Sequence, residues 1–273
     1  MFPENFLSPI PRHGLPHSSF VYSAPLRAPS PLLLSLPVGP ARVEGTYANS
    51  VWNASILLAD KIASEEIEVR GKRVLELGCG LGLPGIVAAS KGAQLVVLSD
   101  FDDPRMLHDL EQGVAEALPG ARGDAQSRVR VVGHTWGTSI EPLLAASPAG
   151  YDLVLVSDCV WHPSLHAPLV HTLVALLAAA ACPASAVVAF SCGFHTGRHV
   201  VRDFLAQVRA AGLEPTSEDG WGEVSVEGER KAWSWEEDGP REDLKRGVTR
   251  SLLEEKQEER NRWTLVGLLR LKR

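Results

Sequence analysis

The sequence predicts an α/β domain, in which a twisted and mostly parallel sheet carries helices on both faces. Three observations support this class. Short apolar segments alternate with segments in which apolar residues recur at helical spacing. The apolar segments are continuous, as in strands that are buried on both faces, so they indicate a parallel sheet. A glycine-rich turn joins the first of these strands to the following helix.

The predicted elements begin at residue 50 and follow one another closely. A first helix is expected over 50–64, where apolar residues recur every three or four positions. Five strands are then predicted, at 73–77, 95–99, 128–133, 152–157 and 186–191. A helix is predicted after each of them, at 82–91, 104–117, 140–146, 164–181 and 196–211. A last strand, at 263–271, follows a polar segment, which suits an antiparallel strand added late.

Two regions differ in composition from the predicted sheet and helices. The first 43 residues are rich in proline, which opposes helices and removes backbone donors, so an extended or disordered arm is expected there. Residues 44–273 are predicted to form one domain. A highly charged insertion at about 216–262 interrupts this domain before its last strand, and its part from 241 to 261 is predicted to be a solvated helix.

The composition argues against several classes of protein. The net charge is −6, which does not favour a nucleic-acid partner. The four cysteines are scattered without a C-x-x-C pair, which argues against a disulfide framework and suits a reducing compartment. No apolar segment is long enough for a membrane span, and the first residues lack the features of a signal peptide. We therefore expect a soluble, cytoplasmic, monomeric protein without a nucleic-acid or membrane partner.

One group of residues has the spacing of metal ligands. Cys159, His162 and His166 lie within eight positions of one another. Pro163 interrupts this segment, however, and His171 lies five residues past His166 on a turned face. We therefore predict histidines that are solvated or packed on a helix, and no metal site.

The segment from Val74 to Gly85 raises the question of the cofactor. It combines a buried strand, a glycine-rich turn and the start of a helix, so that backbone amides can approach a ligand. Its glycines from Gly80 onward fit the dinucleotide pattern G-x-G-x-x-G, which taken alone suggests NAD. Asp100 ends the second strand about twenty residues later, where an acid can bind ribose hydroxyls. Such an acid suits NAD and S-adenosylmethionine (SAM) equally.

Three features favour SAM over NAD. Glu76 lies within the first strand, where a buried carboxylate can organise the turn or face a cationic ligand such as a sulfonium. The turn also opens one glycine early, at Gly78. Trp52 precedes the first strand, and Trp136 follows the third, where its ring could stack on an adenine. Each feature has a plain alternative, because Glu76 could cap the helix and each tryptophan could belong to the core.

Five segments carry a recognisable signature. In chain order they are Asn49–Ala54, Leu75–Gly82, Ser99–Asp100, Thr135–Gly137 and Val156–Trp161. Through them the chain resembles the seven-stranded, SAM-dependent, lysine-directed protein methyltransferases over about residues 46–212. Within that family it is similar to the fungal group that modifies the N-terminus and an adjacent lysine of translation elongation factor 1-alpha, earlier described as nicotinamide N-methyltransferase-like. The resemblance implies a Rossmann-like class I SAM-dependent methyltransferase fold with a seven-stranded sheet.

The resemblance also implies which residues form the site. By the resemblance, the expected SAM contacts are Trp52, Gly78, Cys79, Gly80, Asp100, Trp136 and Ser157, and Glu76 is added to them from its place in the first strand. Asp158 and Trp161 match the family's motif of an acid followed three residues later by an aromatic residue, and they are the expected catalytic residues. Residues 191–195 depart from the His-Arg-Pro run of the family, and the polar insertion is longer. These departures concern the substrate and not the cofactor.

Methyl transfer from a sulfonium to an amine is an in-line displacement, and the amine must first lose its proton. Asp158 would receive or orient the amine, or would instead cap the next helix; Trp161 would present an aromatic face to the methyl group. The expected acceptor is a lysine or an N-terminal α-amine of a protein, with elongation factor 1-alpha as the partner. A small-molecule N-methyltransferase and a SAM-binding protein without turnover are the alternatives.

Overall fold

The computed structural model describes five parts of the chain, namely residues 12–38, 49–118, 128–217, 220–233 and 256–272. All structural statements below refer to these parts. Within them, no helix is both long and apolar enough to cross a membrane.

The described residues form strands and helices that alternate along most of the chain. In chain order they are β1 (Arg12–His13), β2 (Ser18–Ser23), β3 (Leu33–Val38), β4 (Val51–Trp52), α1 (Asn53–Ala63), β5 (Arg73–Leu77), α2 (Leu83–Ser90), β6 (Leu95–Asp100), α3 (Pro104–Ala117), β7 (Val129–Gly133), α4 (Glu141–Ala146), β8 (Leu153–Ser157), α5 (His166–Ala178), β9 (Val187–Gly193), α6 (Arg198–Ala210), β10 (Leu213–Pro215), β11 (Gly222–Ser225), β12 (Arg230–Ala232), α7 (Gln257–Arg262) and β13 (Trp263–Leu271). A short 3-10 turn, Pro163–Leu165, precedes α5. The strands predicted from β5 onward agree with the observed bounds within two residues.

The main sheet has a parallel centre and an antiparallel side. Its parallel strands lie in the order β7-β6-β5-β8-β9. Strand β13 pairs antiparallel with β9, and its other edge pairs with β10 at one end and β11 at the other. The predicted α/β class is confirmed. The nine described strands occupy eight positions across the sheet, because β10 and β11 share one position; the predicted seven positions run from β7 to β10 and β11, and β12 adds an eighth at the edge.

Helices cover both faces of the sheet, as predicted. One face packs against α5 and α6, where Phe190 of β9 stacks on Phe204 at a ring separation of 5.5 Å. Helices α1, α2 and α3 pack on the other face. Phe190 also stacks on Trp221 at 5.7 Å, and the ring of Trp221 lies so close to Gly267 that a Cβ has no room there. This aromatic stack fixes the strands on the antiparallel side to the core.

The charged insertion contributes strands that the sequence analysis does not predict. Strands β11 and β12 both lie between residues 216 and 262. Glu223 of β11 is buried because its carboxylate binds Arg198 through two hydrogen bonds, of 2.6 and 2.9 Å, and pairs with Lys231 at 2.9 Å. A charged residue thus occupies a strand without an isolated buried charge. The helix predicted over 241–261 lies outside the described residues except for its last part, which falls in α7.

The described part of the proline-rich arm is a hairpin instead of a free segment. Strands β2 and β3 pair antiparallel, and the buried face of the hairpin packs against α3. Apolar side chains at alternate positions supply that face, among them Tyr22 and Leu36. The hydroxyl of Tyr22 donates a hydrogen bond of 2.8 Å to Asp60 in α1. Buried apolar side chains at alternate positions therefore attach this segment to the domain, although prolines interrupt the pattern.

Replacing Leu36 with alanine is expected to lower the free energy of unfolding by about 2–4 kcal/mol, because a buried leucine leaves a cavity when it is shortened. Leu36 is 1% exposed, whereas Leu33 on the same strand is 72% exposed. Leu33→Ala is the matched control and should change stability by less than about 0.5 kcal/mol. Chemical denaturation measures both. Equal effects of the two variants would mean that the hairpin does not pack on the domain in solution.

Candidate active site

The sequence-predicted site residues gather at the carboxyl ends of neighbouring strands. The glycine turn follows β5, Asp100 ends β6, and Ser157 and Asp158 stand at the end of β8. Strand β5 lies between β6 and β8, so the strand order changes direction there. Ligands of open α/β sheets bind beyond the carboxyl ends of the strands at such a point. The fold therefore assigns the candidate site to this edge.

The glycine turn requires glycine for two separate reasons. Gly78, Gly80 and Gly82 have φ angles of +61°, +55° and +73°, which side chains oppose. At Gly78 there is also no space, because a Cβ would lie 2.7 Å from Sγ of Cys159 and 2.8 Å from the ring of Trp136. The turn, Cys159 and Trp136 are therefore in direct contact.

Asp100 holds the turn from the neighbouring strand. Its Oδ2 accepts a hydrogen bond of 2.7 Å from the N–H of Gly80, and its Oδ1 accepts one from the N–H of Phe101. The N–H of Cys79 donates to the carbonyl of Ser99 at 3.1 Å. Burial raises the pKa of the Asp100 carboxyl above its ordinary value. Asp100 and the turn thus form one hydrogen-bonded unit at the end of β6.

Glu76 lies beneath the turn and is fully buried. Its Oε2 accepts a hydrogen bond of 2.7 Å from the N–H of Gly85 in the first turn of α2. Among the described residues, its Oε1 has no hydrogen-bond partner. Burial, with the nearby charge of Asp100 as a smaller cause, raises the pKa of Glu76 to about 8. Glu76 thus binds a helix amide, as in the capping alternative, and its predicted contact with a cofactor remains a prediction.

Replacing Glu76 with glutamine is expected to flatten the dependence of stability on pH in the cofactor-free protein. The ordinary pKa of this side chain is 4.5, and burial raises the folded-state pKa to about 8. The protonated form of Glu76 therefore contributes its full stabilisation below pH 4.5, and this contribution is lost as the pH rises through 8. Above pH 8 the free energy of unfolding of the variant should exceed that of wild type by on the order of 2–4 kcal/mol.

Chemical denaturation across this pH range measures the effect of Glu76→Gln. Glu111→Gln, at an exposed position of α3, is the control and should follow the wild-type curve. Parallel curves for wild type and Glu76→Gln would contradict the raised pKa.

Two further predicted cofactor residues lie next to the turn and the end of β8. Trp136 is half-buried, and its ring contacts Gly78. The hydroxyl of Ser157 forms a hydrogen bond of 2.9 Å with the hydroxyl of Ser55 on α1. Ser55 was not predicted, because its relation to Ser157 depends on how α1 packs across the sheet.

Asp158 has an unusual backbone and a tightly held side chain. Its φ of +57° lies in the left-handed region, which aspartate tolerates better than most residues. Its Oδ1 accepts a hydrogen bond of 3.1 Å from the N–H of Gly193 at the end of β9. Its neighbour Cys159 directs Sγ toward the carbonyl of Leu77 at 3.3 Å. The candidate catalytic carboxylate is therefore placed between the glycine turn and the end of β9.

His195 is a further residue of the candidate site, and no motif in the sequence predicts it. Its Nε2 lies 3.8 Å from Oδ1 of Asp158, and its ring stacks on Trp52 at 5.1 Å with an angle of 25° between the planes. The side chain is 9% exposed. Its position shortly after the fifth predicted strand is consistent with a site residue, because the ends of the strands form the site. Trp161 is half-buried and meets His162 edge-on at 5.5 Å.

The histidines that had the spacing of metal ligands have other partners. His162 shares a hydrogen bond of 2.8 Å with the hydroxyl of Ser164, and Nε2 of His166 lies 2.9 Å from the carbonyl of Val160. In the described parts of the chain, no three His, Cys, Asp or Glu side chains are grouped so that they could hold a metal ion.

The fold and the glycine turn define a Rossmann-like α/β domain of the class I SAM-dependent methyltransferase type. A family model described as lysine methyltransferase matches residues 40–207, and the chain belongs to this family.

Individual relatives and a solved structure agree with this assignment. Over 130 residues the chain is 37% identical to the protein N-terminal and lysine N-methyltransferase efm7 of Schizosaccharomyces pombe, covering 45% of this chain and 48% of that protein. It is 32% identical to EFM7 of Gibberella zeae over 180 residues, covering 63% and 64%. The chain thus matches about half to two thirds of the length of these relatives. A solved candidate methyltransferase, SMU.776 in complex with S-adenosylhomocysteine (SAH), has a TM-score of 0.50 at 10% identity and covers 95% of this chain and 57% of that one. At this identity the likeness concerns the fold alone.

Proposed function

We propose that the chain is a SAM-dependent protein N-methyltransferase that acts on lysine, on an N-terminal α-amine, or on both. The carrying observation is the position of Asp158. The next residue, Cys159, contacts the glycine turn at Gly78, and Oδ1 of Asp158 accepts a hydrogen bond from Gly193, which supports a position of the carboxylate next to the proposed cofactor. The names of the relatives from Schizosaccharomyces pombe and Gibberella zeae support the same activity.

The residues of the turn fit SAM. The left-handed glycines carry no side chain that would fill the turn, and Gly78 forms a cradle that a Cβ would occupy. Asp100 would bind the ribose, and Trp136 would stack on the adenine. Trp52, Glu76, Cys79 and Ser157 complete the proposed set. The lysine methyltransferase family model, which matches residues 40–207, supports a methyl donor over NAD.

The proposed reaction divides its tasks between the cofactor and this chain. When bound, SAM supplies an electrophilic methyl group. Asp158 receives the acceptor amine and holds its nitrogen in line with that group. Trp161 presents its ring to the cationic product. The amine would first lose a proton, and its nitrogen would then take the methyl group that SAM supplies, with SAH as the second product.

We take elongation factor 1-alpha as the substrate and the cytoplasm as the location, and we expect a monomer. The relatives carry both lysine and N-terminal specificity in their names, which supports a protein acceptor. All four cysteines are free, as suits a reducing compartment. Size-exclusion chromatography with light scattering tests the oligomeric state.

The function is tested by incubating the protein with labelled SAM and three acceptors in separate reactions. These are purified elongation factor 1-alpha, a lysate that lacks this protein, and nicotinamide. Label on a lysine or N-terminus supports the proposal, and label on nicotinamide alone would favour the small-molecule alternative. SAH binding in calorimetry without transfer to any acceptor would indicate a binding protein, and binding of NAD but not SAH would overturn the cofactor.

A further inference from the structure

The ends of β8 and β9 bring a carboxylate and an imidazole together at the candidate site. Nε2 of His195 faces Oδ1 of Asp158 at 3.8 Å, and the two side chains are 9% and 6% exposed. This separation is longer than a hydrogen bond. A nitrogen placed about 2.9 Å from both atoms would bridge them, which is the position of a donor shared by the two groups. Catalytic hydrogen bonds are often long in the absence of substrate.

An amine acceptor needs a base as well as a binding group. A lysine side chain carries a proton at neutral pH, since its ordinary pKa is about 10.4. A carboxylate attracts this cation but is a weak base, with an ordinary pKa of about 3.9. An imidazole ionises near neutral pH, which suits it to accept a proton there. Asp158 and His195 together therefore offer both functions.

We infer that His195 is the general base for the acceptor amine and takes its proton at Nε2. This inference rests on the proposed methyltransferase function and assigns a step within it. The protonated amine binds between Oδ1 of Asp158 and Nε2 of His195, and one N–H proton moves to Nε2. The free electron pair then forms the new nitrogen–carbon bond as the sulfur–carbon bond of SAM breaks. The imidazolium returns its proton to solvent after the methylated amine leaves.

Two neighbouring side chains position the ring of His195 at the candidate site. The negative charge of Asp158 lies next to Nε2, and the ring of Trp52 stacks on the imidazole. The stack fixes the plane of the imidazole ring, and Nε2 lies on the side of Asp158. Nδ1 is buried and has no hydrogen-bond partner among the described residues, which leaves Nε2 as the nitrogen that faces the acceptor.

Other titratable groups lie farther along the same segment. A side chain at Gly197 would meet the ring of His199 and, at 3.7 Å, Nη1 of Arg260 from α7. The charged side chain that the structure places against the imidazole itself is Asp158.

The test compares wild type with His195→Gln across pH on a lysine acceptor. At pH near 7 the variant is expected to lose about 100-fold in kcat, the usual contribution of a general base, while its affinity for SAH is unchanged. The loss should shrink as the pH approaches about 10, because solution then supplies the neutral amine. A purely structural role would lower the rate equally at every pH. His171→Gln, at an exposed position on α5, is the matched control and should keep the wild-type profile.

His195→Ala supplies a second readout if the glutamine variant folds poorly. The space beside Trp52 should admit added imidazole, which is expected to restore part of the rate near neutral pH. An active wild type whose rate and pH profile survive His195→Gln would overturn this inference and leave the methyltransferase proposal intact. A wild type that binds SAH and methylates nothing would overturn the proposed function and this inference with it.

Discussion

Replacing Asp158 with asparagine is expected to lower kcat/KM for methyl transfer by about 100-fold while SAH binding persists. Asparagine keeps the shape of the side chain, tolerates the φ of +57°, and can still accept the hydrogen bond from Gly193. It removes the negative charge that would bind the protonated amine. A hydrogen bond to a charged group contributes about 1.5–3 kcal/mol, which corresponds to roughly 10- to 150-fold.

The control for Asp158→Asn is the same change at Asp103, the N-cap of α3. Its carboxylate accepts hydrogen bonds from the backbone of Arg105 and Met106, and asparagine caps helices equally well. Asp103→Asn should therefore retain full activity. Initial rates with purified acceptor and calorimetry with SAH separate the two variants. Full activity of Asp158→Asn, or loss of SAH binding in it, would refute the assigned role.

Replacing Gly78 with alanine is expected to reduce SAH affinity by more than about tenfold and the free energy of unfolding by about 2–5 kcal/mol. Two costs add at this position. A left-handed backbone costs a residue with a Cβ about 1–2 kcal/mol, and overpacking costs a further 1–3 kcal/mol. The new Cβ would press on Cys159 and Trp136, both of which border the proposed cofactor position.

Gly71→Ala separates the two costs. Gly71 has a φ of +72°, close to that of Gly78, yet nothing lies within 4 Å of its Cβ position. Its variant should show the backbone cost alone and bind SAH normally. Calorimetry and chemical denaturation on both variants measure the difference. If Gly71→Ala and Gly78→Ala changed SAH affinity and the free energy of unfolding equally, the contact of the turn with Cys159 and Trp136 would contribute nothing to either.

Elements whose residues carry their own signal could be predicted from the sequence. Strands β5 and β13 coincide with the predicted bounds because continuous apolar segments need burial on both faces. The glycine turn could be predicted because left-handed backbone selects for one residue type. Asp100 followed from the rule that strand ends form the site, and the structure brings it to Gly80.

Features that depend on tertiary partners could not be predicted in this way. Glu223 reads as a residue of a polar insertion, and only its contacts with Arg198 and Lys231 explain its burial in β11. The hairpin β2–β3 is short, and its prolines suggest an unfolded arm until α3 supplies a surface. His195 has no local motif, and its meeting with Asp158 and Trp52 requires three separate segments to pack together.

The cysteines beside the glycine turn have a consequence for an enzyme that handles an alkylating reagent. Cys79 lies within the turn, and Sγ of Cys159 lies against Gly78, so both residues border the proposed cofactor position. Burial, followed by the charge of Asp100, raises the pKa of both thiols well above the ordinary value. The thiolate is the nucleophilic form of cysteine, and these side chains hold their protons instead. The proposed enzyme thereby keeps two potential acceptors next to its own reagent without becoming its own substrate.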